Sequence, residues 1–148
     1  MSIYFRTPEE MTELYGIDYS IENTKAVIKK ELGINALRVP FNRNVLVAAV
    51  TPPREENGIP IPETSVLHNR DLQLVYAGKI LAFGEAAFRH REEFPFGPRF
   101  SVGDWVSFSP AEFQKCPVGD FLLGYVKDIQ ISGLTDEPED WKNRLQLF

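Results

Sequence analysis

The sequence has a single cysteine, no long hydrophobic run and no excess of positive charge. One cysteine, Cys116, cannot form an internal disulfide, which fits a reducing compartment. No apolar run approaches the ~18 residues that a membrane-spanning helix needs, and the first residues lack the pattern of a signal peptide. Lys and Arg number 16 against 21 Asp and Glu, and the net charge of −5 argues against nucleic-acid binding through bulk electrostatics. We therefore expect a soluble cytoplasmic protein.

The residue patterns of common catalytic sites are also missing. His68, His90 and Cys116 are scattered through predicted loops without the spacing of metal ligands. No glycine-rich segment stands between a strand and a helix at the spacing that a phosphate-binding loop requires. Adjacent acids such as Glu92-Glu93 are typical of a solvated loop. We predict that the protein is not an enzyme and that it needs neither a metal nor a cofactor.

The sequence is instead rich in proline and phenylalanine, with 11 of each against 10 glycines. This mixture is typical of short strands joined by stiff loops. Helical signals are confined to the beginning of the chain. Thr7-Pro8 starts one predicted helix that Gly16 ends, and Ser20 starts a second that Gly33 ends. We therefore predict a helical N-terminal extension over residues 1–40.

Strand and turn signals dominate the remainder. Short apolar or alternating runs separated by Gly and Pro predict strands at residues 45–50, 72–82, 105–108, 121–123 and 126–131. Gly78, inside the second run, marks a predicted bend or bulge. Many short strands with such turns favour a small barrel or sandwich. Residues 134–148 form an acidic and then aromatic C-terminal tail.

Five segments in order carry a more specific resemblance. They are Asn-Val-Leu-Val at 44–47, Gly-Ile-Pro-Ile-Pro-Glu-Thr at 58–64, Gly-Lys-Ile-Leu-Ala-Phe-Gly at 78–84, Val-Gly-Asp-Trp-Val-Ser-Phe at 102–108, and Asp-Phe-Leu-Leu at 120–123 with Asp-Ile at 128–129. In this order the segments resemble the GroES-type co-chaperonins over about residues 42–133. That family has a strand, a mobile loop with Gly-Ile-x-Ile/Leu-Pro, a second strand, a roof loop and two closing strands.

The resemblance implies a mostly β fold with a small GroES-like barrel over residues 41–133, a mobile loop and a roof hairpin. It further implies a homo-oligomeric ring, seven-membered in the family, that caps a chaperonin double ring and assists folding without catalysis. The implied contact residues are Gly58, Ile59, Pro60, Ile61 and Pro62. Taken alone, the loop favours a different interpretation, in which Ile59 and Ile61 pack onto their own barrel as a β-turn, and only the family resemblance supports partner binding.

Three features depart from the family pattern. Pro60 stands in the middle of the apolar tripeptide, where it removes an N–H and fixes φ. The roof segment, residues 85–99, is long and contains Phe88, Phe94 and Phe96. The Tyr-Gly pair that follows the Val-Gly-Asp strand in the family is missing. These departures indicate a divergent member of the type that bacteriophages encode, acting in the host cytoplasm.

A second hypothesis explains the departures and both extensions differently. The chain would be a structural or assembly protein of a bacteriophage virion, built on the same barrel and bound to other virion proteins. Trp141, Leu145 and Phe148 follow helical i, i+4, i+7 spacing, which suits a tail docked on a neighbour. A third hypothesis, a small-ligand or base-stacking site in the Phe- and Arg-rich residues 88–100, has weaker support because the chain is acidic overall.

Overall fold

The computed structural model describes residues 5–50, 55–56, 59–60, 76–116, 118 and 121–137. Two helices come first, α1 (Pro8–Tyr15) and α2 (Ile21–Leu32). The strands of the described ranges follow: β1 (Asn44–Ala49), β2 (Glu55–Glu56), β3 (Ile59–Pro60), β4 (Tyr76–Phe83), β5 (Trp105–Phe108), β6 (Gln114–Lys115), β7 (Leu123–Lys127) and β8 (Ile131–Leu134). Short 3-10 turns lie at Pro110–Glu112 and Asp128–Gln130. The prediction of a mostly β protein with helices at its beginning is confirmed.

Both helices begin and end where their capping residues predict. The Thr7 hydroxyl accepts a first-turn N–H at 3.1 Å, and the Ser20 hydroxyl does the same at 3.2 Å. Gly16 and Gly33 end the helices in the left-handed conformation, with φ of 71° and 70°. These are local interactions between residues close in sequence, so the sequence specifies them without reference to the rest of the fold.

Six strands form one antiparallel sheet in the order β6-β7-β1-β4-β5-β8, and β2 pairs with β3 in a separate hairpin. The register between β1 and β4 shifts between Leu46, opposite Ala82, and Val47, opposite Ile80. The extra residue of β4 is therefore Leu81, and the predicted bulge at Gly78 is wrong. Gly78 pairs in regular register with Ala49 and Val106. A Cβ there would meet the Phe108 ring at 2.9 Å, which explains why this position is a glycine.

The chain connection between β7 and β8 requires the sheet to curl. These strands lie four positions apart in the sheet, which is about 19 Å in a flat sheet. Only the three residues Asp128–Gln130 join them, and such a link spans at most about 14 Å even when fully extended. The two ends of the sheet are therefore drawn toward each other.

Apolar residues fill both faces of the sheet. Along β1, Val45, Val47 and Ala49 belong to one core cluster, whereas Leu46, Ala48 and Val50 belong to another. Successive side chains of a strand point to opposite faces, so the two clusters lie on opposite sides of the sheet. Met11 of α1 is fully buried in the first cluster, and Ile28 of α2 is fully buried in the second.

The N-terminal helices thus pack on this chain's own sheet, one on each face. An ion pair between Lys79 of β4 and Glu31 of α2 (2.6 Å) lies beside the second cluster. On the first face, the Tyr19 hydroxyl donates to the Ala87 carbonyl at 2.7 Å, and burial raises the pKa of Tyr19. Each helix is therefore held by apolar burial; α2 adds its ion pair to β4, and the connection between the helices adds the Tyr19 hydrogen bond.

Candidate partner-binding site

The predicted contact loop contains a small β-hairpin. Residues 50–75 connect β1 to β4, although adjacent antiparallel strands are usually joined by roughly two to five residues. Within this connection Glu56 pairs with Ile59 and Glu55 with Pro60. Gly58, Ile61 and Pro62 lie outside the described residues, as do the side chains of Ile59 and Pro60.

Pro60 is compatible with this hairpin. Two residues separate Glu56 from Ile59, and in a two-residue hairpin the pair that flanks the turn exchanges the hydrogen bonds. The next pair, Glu55 and Pro60, is then of the non-hydrogen-bonded type, in which each backbone N–H points away from the partner strand. The missing N–H of proline therefore removes no hydrogen bond between β2 and β3.

The predicted roof hairpin is not formed. Residues 84–104 are all described and contain turns without strand pairing among themselves. Phe88 is fully buried in the first core cluster, where its ring meets Phe83 and Phe94 edge-on. The segment pairs with the N-terminal residues and forms no strand pairing with itself: Phe5 forms a β-bridge with His90, and the Arg6 N–H donates to the Arg89 carbonyl at 2.9 Å.

Only the third predicted roof phenylalanine is presented to solvent. Phe94 is half-buried, whereas Phe96 is 86% exposed. A turn over residues 94–97 carries Phe96 and is closed by the Gly97 N–H, which donates to the Phe94 carbonyl at 3.0 Å. The structure therefore separates the three phenylalanines into core and surface residues.

Asp128 joins three parts of the chain beneath the roof segment. Its carboxylate, which is fully buried, accepts the Phe88 N–H at 2.9 Å, the Ile129 N–H at 2.8 Å and Arg43 Nε at 3.1 Å. Phe88 has a φ of 60°, a left-handed conformation that costs a bulky residue free energy. The bond from Asp128 helps to hold that conformation and, with it, the path of the roof segment.

Arg43 extends this network to the surface, where its guanidinium also bonds the Glu93 carboxylate. That hydrogen bond lowers the pKa of Glu93 and raises the pKa of Arg43. Both groups therefore stay charged at neutral pH. Their arrangement is that of a structural ion pair linking β1 to the roof segment.

Among the described residues, the side chains suited to catalysis or metal binding do not lie close together. His68 lies outside the described residues, and His90 packs edge-on against the Phe5 ring. Burial raises the pKa of the Cys116 thiol, which favours the unreactive protonated form. Across the described ranges, no three His, Cys, Asp or Glu side chains group in a way that could hold a metal ion.

The remaining predicted contact residues, Trp141, Leu145 and Phe148, lie outside the described part of the chain. Sequence reasoning missed the structural roles of Arg6, Tyr15 and Asp128. Arg6 and Asp128 each bond a residue more than 80 positions away, Phe94 and Arg43 respectively. The hairpin has a local signal in the sequence, because Asn57-Gly58 is among the dipeptides most favoured in two-residue hairpin turns.

Comparison with known proteins adds no relative. No protein-family model matches the chain, and the search of curated proteins finds no match. The resemblance to the co-chaperonins therefore rests on the order of the five segments. Among the described residues, no helix has the length and apolar character needed to cross a membrane.

Proposed function

We propose that this chain is a co-chaperonin-like protein whose copies form a ring that caps a chaperonin and assists protein folding without catalysis. The observation that carries the proposal is the hairpin β2–β3. It brings Ile59 and Pro60 into an ordered pairing within the long connection between two adjacent strands of the main sheet. In the resembling family, the partner contact is made from this position.

The curl of the sheet supports the GroES-like barrel that the proposal needs. A six-stranded antiparallel sheet whose β7 and β8 are joined by three residues has a topology compatible with a small barrel. By the same family resemblance, we expect the ring to contain seven copies. The ring would act in the cytoplasm, which is that of the host if a bacteriophage encodes the chain.

Energetics favour a contact that works only in a ring. Burying one isoleucine on a partner contributes about 1.5–3 kcal/mol before the cost of ordering the loop. One loop with Ile59 and Ile61 would therefore bind weakly. A ring of identical loops would bind strongly, because each docked loop raises the effective concentration of the next.

The test replaces the two isoleucines with aspartates, Ile59→Asp plus Ile61→Asp, in the full chain. We expect the unaltered protein to co-migrate with a purified bacterial-type chaperonin double ring in the presence of ATP, and the variant to lose this co-migration. The matched control is Ile21→Asp. Ile21 is 48% exposed and is the first residue of α2. An acidic side chain is tolerated there because the N-terminus of a helix carries partial positive charge.

Co-migration that persists in the double variant would remove the loop from the proposal. No co-migration of the unaltered protein would overturn the chaperonin contact itself. Measuring the oligomeric mass of each variant separates a failed contact from a failed ring.

The second candidate, a structural or assembly protein of a bacteriophage virion, is favoured by one observation. The roof segment is bonded to the N-terminal residues and presents Phe96 on a fixed turn, which departs from the roof hairpin that the family resemblance predicts. Detection of the protein in purified phage particles at a stoichiometric copy number would support this function. Its absence from the particles would exclude it.

A further inference from the structure

Residues 89–99 of the roof segment leave the core and return to it at one place. Phe88 precedes them and is fully buried, Phe100 follows them and is partly buried, and both pack in the first core cluster. Their ring centroids lie 5.8 Å apart. A compact surface loop whose ends meet in this way is an Ω-loop. Its base is fixed, because the Phe88 N–H donates to the buried Asp128 carboxylate at 2.9 Å.

Between its two ends, this loop is held only weakly by apolar burial. Residues 84–104 are all described, and none of the buried apolar side chains of the core comes from residues 89–99. Phe94 is the member of the loop that packs against the first core cluster, and it is half-buried. Segments that bury few apolar side chains open at a lower free energy than the core does. Contacts with residues outside the loop must therefore hold it closed.

Phe5 and Arg6, the two residues before the N-cap of α1, fasten the loop at several points. Phe5 forms a β-bridge with His90, and the two rings meet edge-on with centroids 5.0 Å apart. Arg6 uses both its backbone and its side chain. Its N–H and its guanidinium donate to three carbonyls of the loop, at 2.9, 3.0 and 3.3 Å, which are those of Arg89, Phe94 and Pro95.

These two residues can leave the loop without unfolding the helix that follows them. The Thr7 hydroxyl caps α1 by accepting the Glu10 N–H at 3.1 Å, and the helix begins at Pro8. Phe5 and Arg6 lie before this cap and belong to no strand of the main sheet. Their contacts therefore serve the loop and neither α1 nor the sheet.

We propose that residues 89–99 are a lid that opens about its Phe88–Phe100 base, and that Phe5 and Arg6 are the strap that holds the lid closed. In the closed state the Phe94 ring meets the Phe88 ring edge-on at 5.3 Å. Opening separates the two rings and exposes apolar surface on both. The strap therefore controls how much aromatic surface this end of the molecule presents.

The lid also has two ion pairs, which join Arg91 to Glu10 and Glu93 to Arg43. All four side chains are at least partly exposed, and ion pairs of this kind contribute little to stability. The hydrogen bonds of Arg6 are different, because one planar guanidinium binds two neighbouring carbonyls and fixes their separation. Arg6 is accordingly the residue whose loss should open the lid.

This lid lies within a single chain and does not depend on whether the hairpin β2–β3 binds a chaperonin. The two proposals can therefore fail separately. Lid opening is measured on the full-length protein alone, without chaperonin and without ATP.

The first measurement is hydrogen exchange of Arg6→Ala. Two amides inside the lid report its opening: the Phe94 N–H donates to the His90 carbonyl at 2.9 Å, and the Gly97 N–H donates to the Phe94 carbonyl at 3.0 Å. We expect both to exchange about tenfold faster or more in the variant, because several hydrogen bonds of the closed state are lost. The Gly84 N–H, which donates to the Asn44 carbonyl at 2.7 Å, should keep its rate.

The matched control is Arg99→Ala. Arg99 is an exposed arginine of the same lid, so this variant removes the same charge without touching the strap. A third variant, Arg6→Lys, keeps the charge of the strap but replaces the forked donor with a single ammonium group. We expect exchange in Arg6→Lys to lie between that of the unaltered protein and that of Arg6→Ala.

The second measurement is limited trypsin digestion followed by mass spectrometry. Arg91 lies inside the lid, and cleavage after it requires the open state. When opening and closing are fast compared with cleavage, the cleavage rate follows the population of the open state. Cleavage after Arg91 should therefore accelerate in Arg6→Ala by about the same factor as the exchange of the lid amides.

Three results would overturn the proposal. The first is unchanged exchange of the Phe94 and Gly97 amides in Arg6→Ala, which would show that the strap does not hold the lid. The second is acceleration of the Gly84 amide by the same factor, which would mean that the lid opens only when the whole sheet unfolds. The third is an equal acceleration in Arg99→Ala, which would indicate a general effect of charge.

Discussion

At the scale of single residues, Asp128 has the largest structural effect that the described contacts support. Its buried carboxylate fixes the left-handed backbone of Phe88 and pairs with Arg43 at the start of β1. A buried charge is expensive unless it is paired and hydrogen-bonded, and here each requirement is met. The roof segment, β1 and the turn before β8 therefore depend on one side chain.

Replacing this carboxylate should be severely destabilising. Asp128→Ala leaves the Phe88 and Ile129 N–H groups without their acceptor and removes a partner of Arg43. Because the loss combines unsatisfied buried donors with a broken ion pair, we expect a decrease of about 3–5 kcal/mol in the free energy of unfolding. Urea denaturation followed by circular dichroism measures it.

Two further variants give the control for Asp128. Asp128→Asn keeps one acceptor oxygen and should lose less stability than the alanine variant. Asp136→Ala removes an exposed carboxylate and should change stability by no more than about 0.5 kcal/mol. A loss below about 1 kcal/mol in Asp128→Ala would contradict the central role of this residue.

At the scale of elements, the Phe96 turn illustrates a contact between segments distant in sequence. Gly97 has a φ of 83° and touches Tyr15, whereas Gly103 has a φ of 95° with open space around it. Alanine at either position incurs the cost of a left-handed backbone, about 1–2 kcal/mol. Only at Gly97 does the new methyl group also overlap a ring, which should add about 1–3 kcal/mol.

The comparison of Gly97→Ala with Gly103→Ala therefore isolates the contact between the turn and α1. We expect Gly97→Ala to be the more destabilising by urea denaturation. Hydrogen exchange of the amides of residues 94, 96 and 97 should also accelerate in that variant alone. Equal losses in the two variants would show that the turn does not depend on Tyr15.

The same elements show what the sequence can predict. Caps and stop glycines predicted α1 and α2 correctly because their interactions span only a few residues. The roof segment was predicted as a hairpin, whereas it bonds to Phe5 and Arg6, which lie about eighty residues earlier in the chain. Its prolines and phenylalanines are visible in the sequence, but the partner that fixes them is not.

The strands also separate into features that a local pattern predicts and features that depend on distant residues. The apolar run at residues 45–50 predicted β1, and its complete burial on both faces explains why it shows no polar alternation. The bulge was assigned to Gly78 although the extra residue is Leu81. Glycine at 78 is required by the Phe108 ring on the neighbouring strand, and such a requirement depends on register, which no single strand reveals.

At the scale of the whole molecule, the sheet and the two helices are expected to unfold together. The β1 strand contributes to both core clusters, and each cluster includes a buried residue of one helix, Met11 or Ile28. A helix that contributes a fully buried residue to a core shares the stability of that core. An isolated helix of the length of α2 would be marginal in water, so its order depends on the sheet.

The variant Ile28→Ala tests this coupling. Ile28 is fully buried between α2 and the sheet, so removing its side chain should lower the free energy of unfolding by about 2–5 kcal/mol. If helix and sheet form one unit, the transition seen in helical circular dichroism and that seen in tryptophan fluorescence should shift together, since Trp105 lies in the same cluster. Ile21→Ala, at an exposed position of the same helix, should shift neither by more than about 0.5 kcal/mol. Loss of the helical signal with an unchanged fluorescence transition would mean that α2 is an appendage that the sheet does not need.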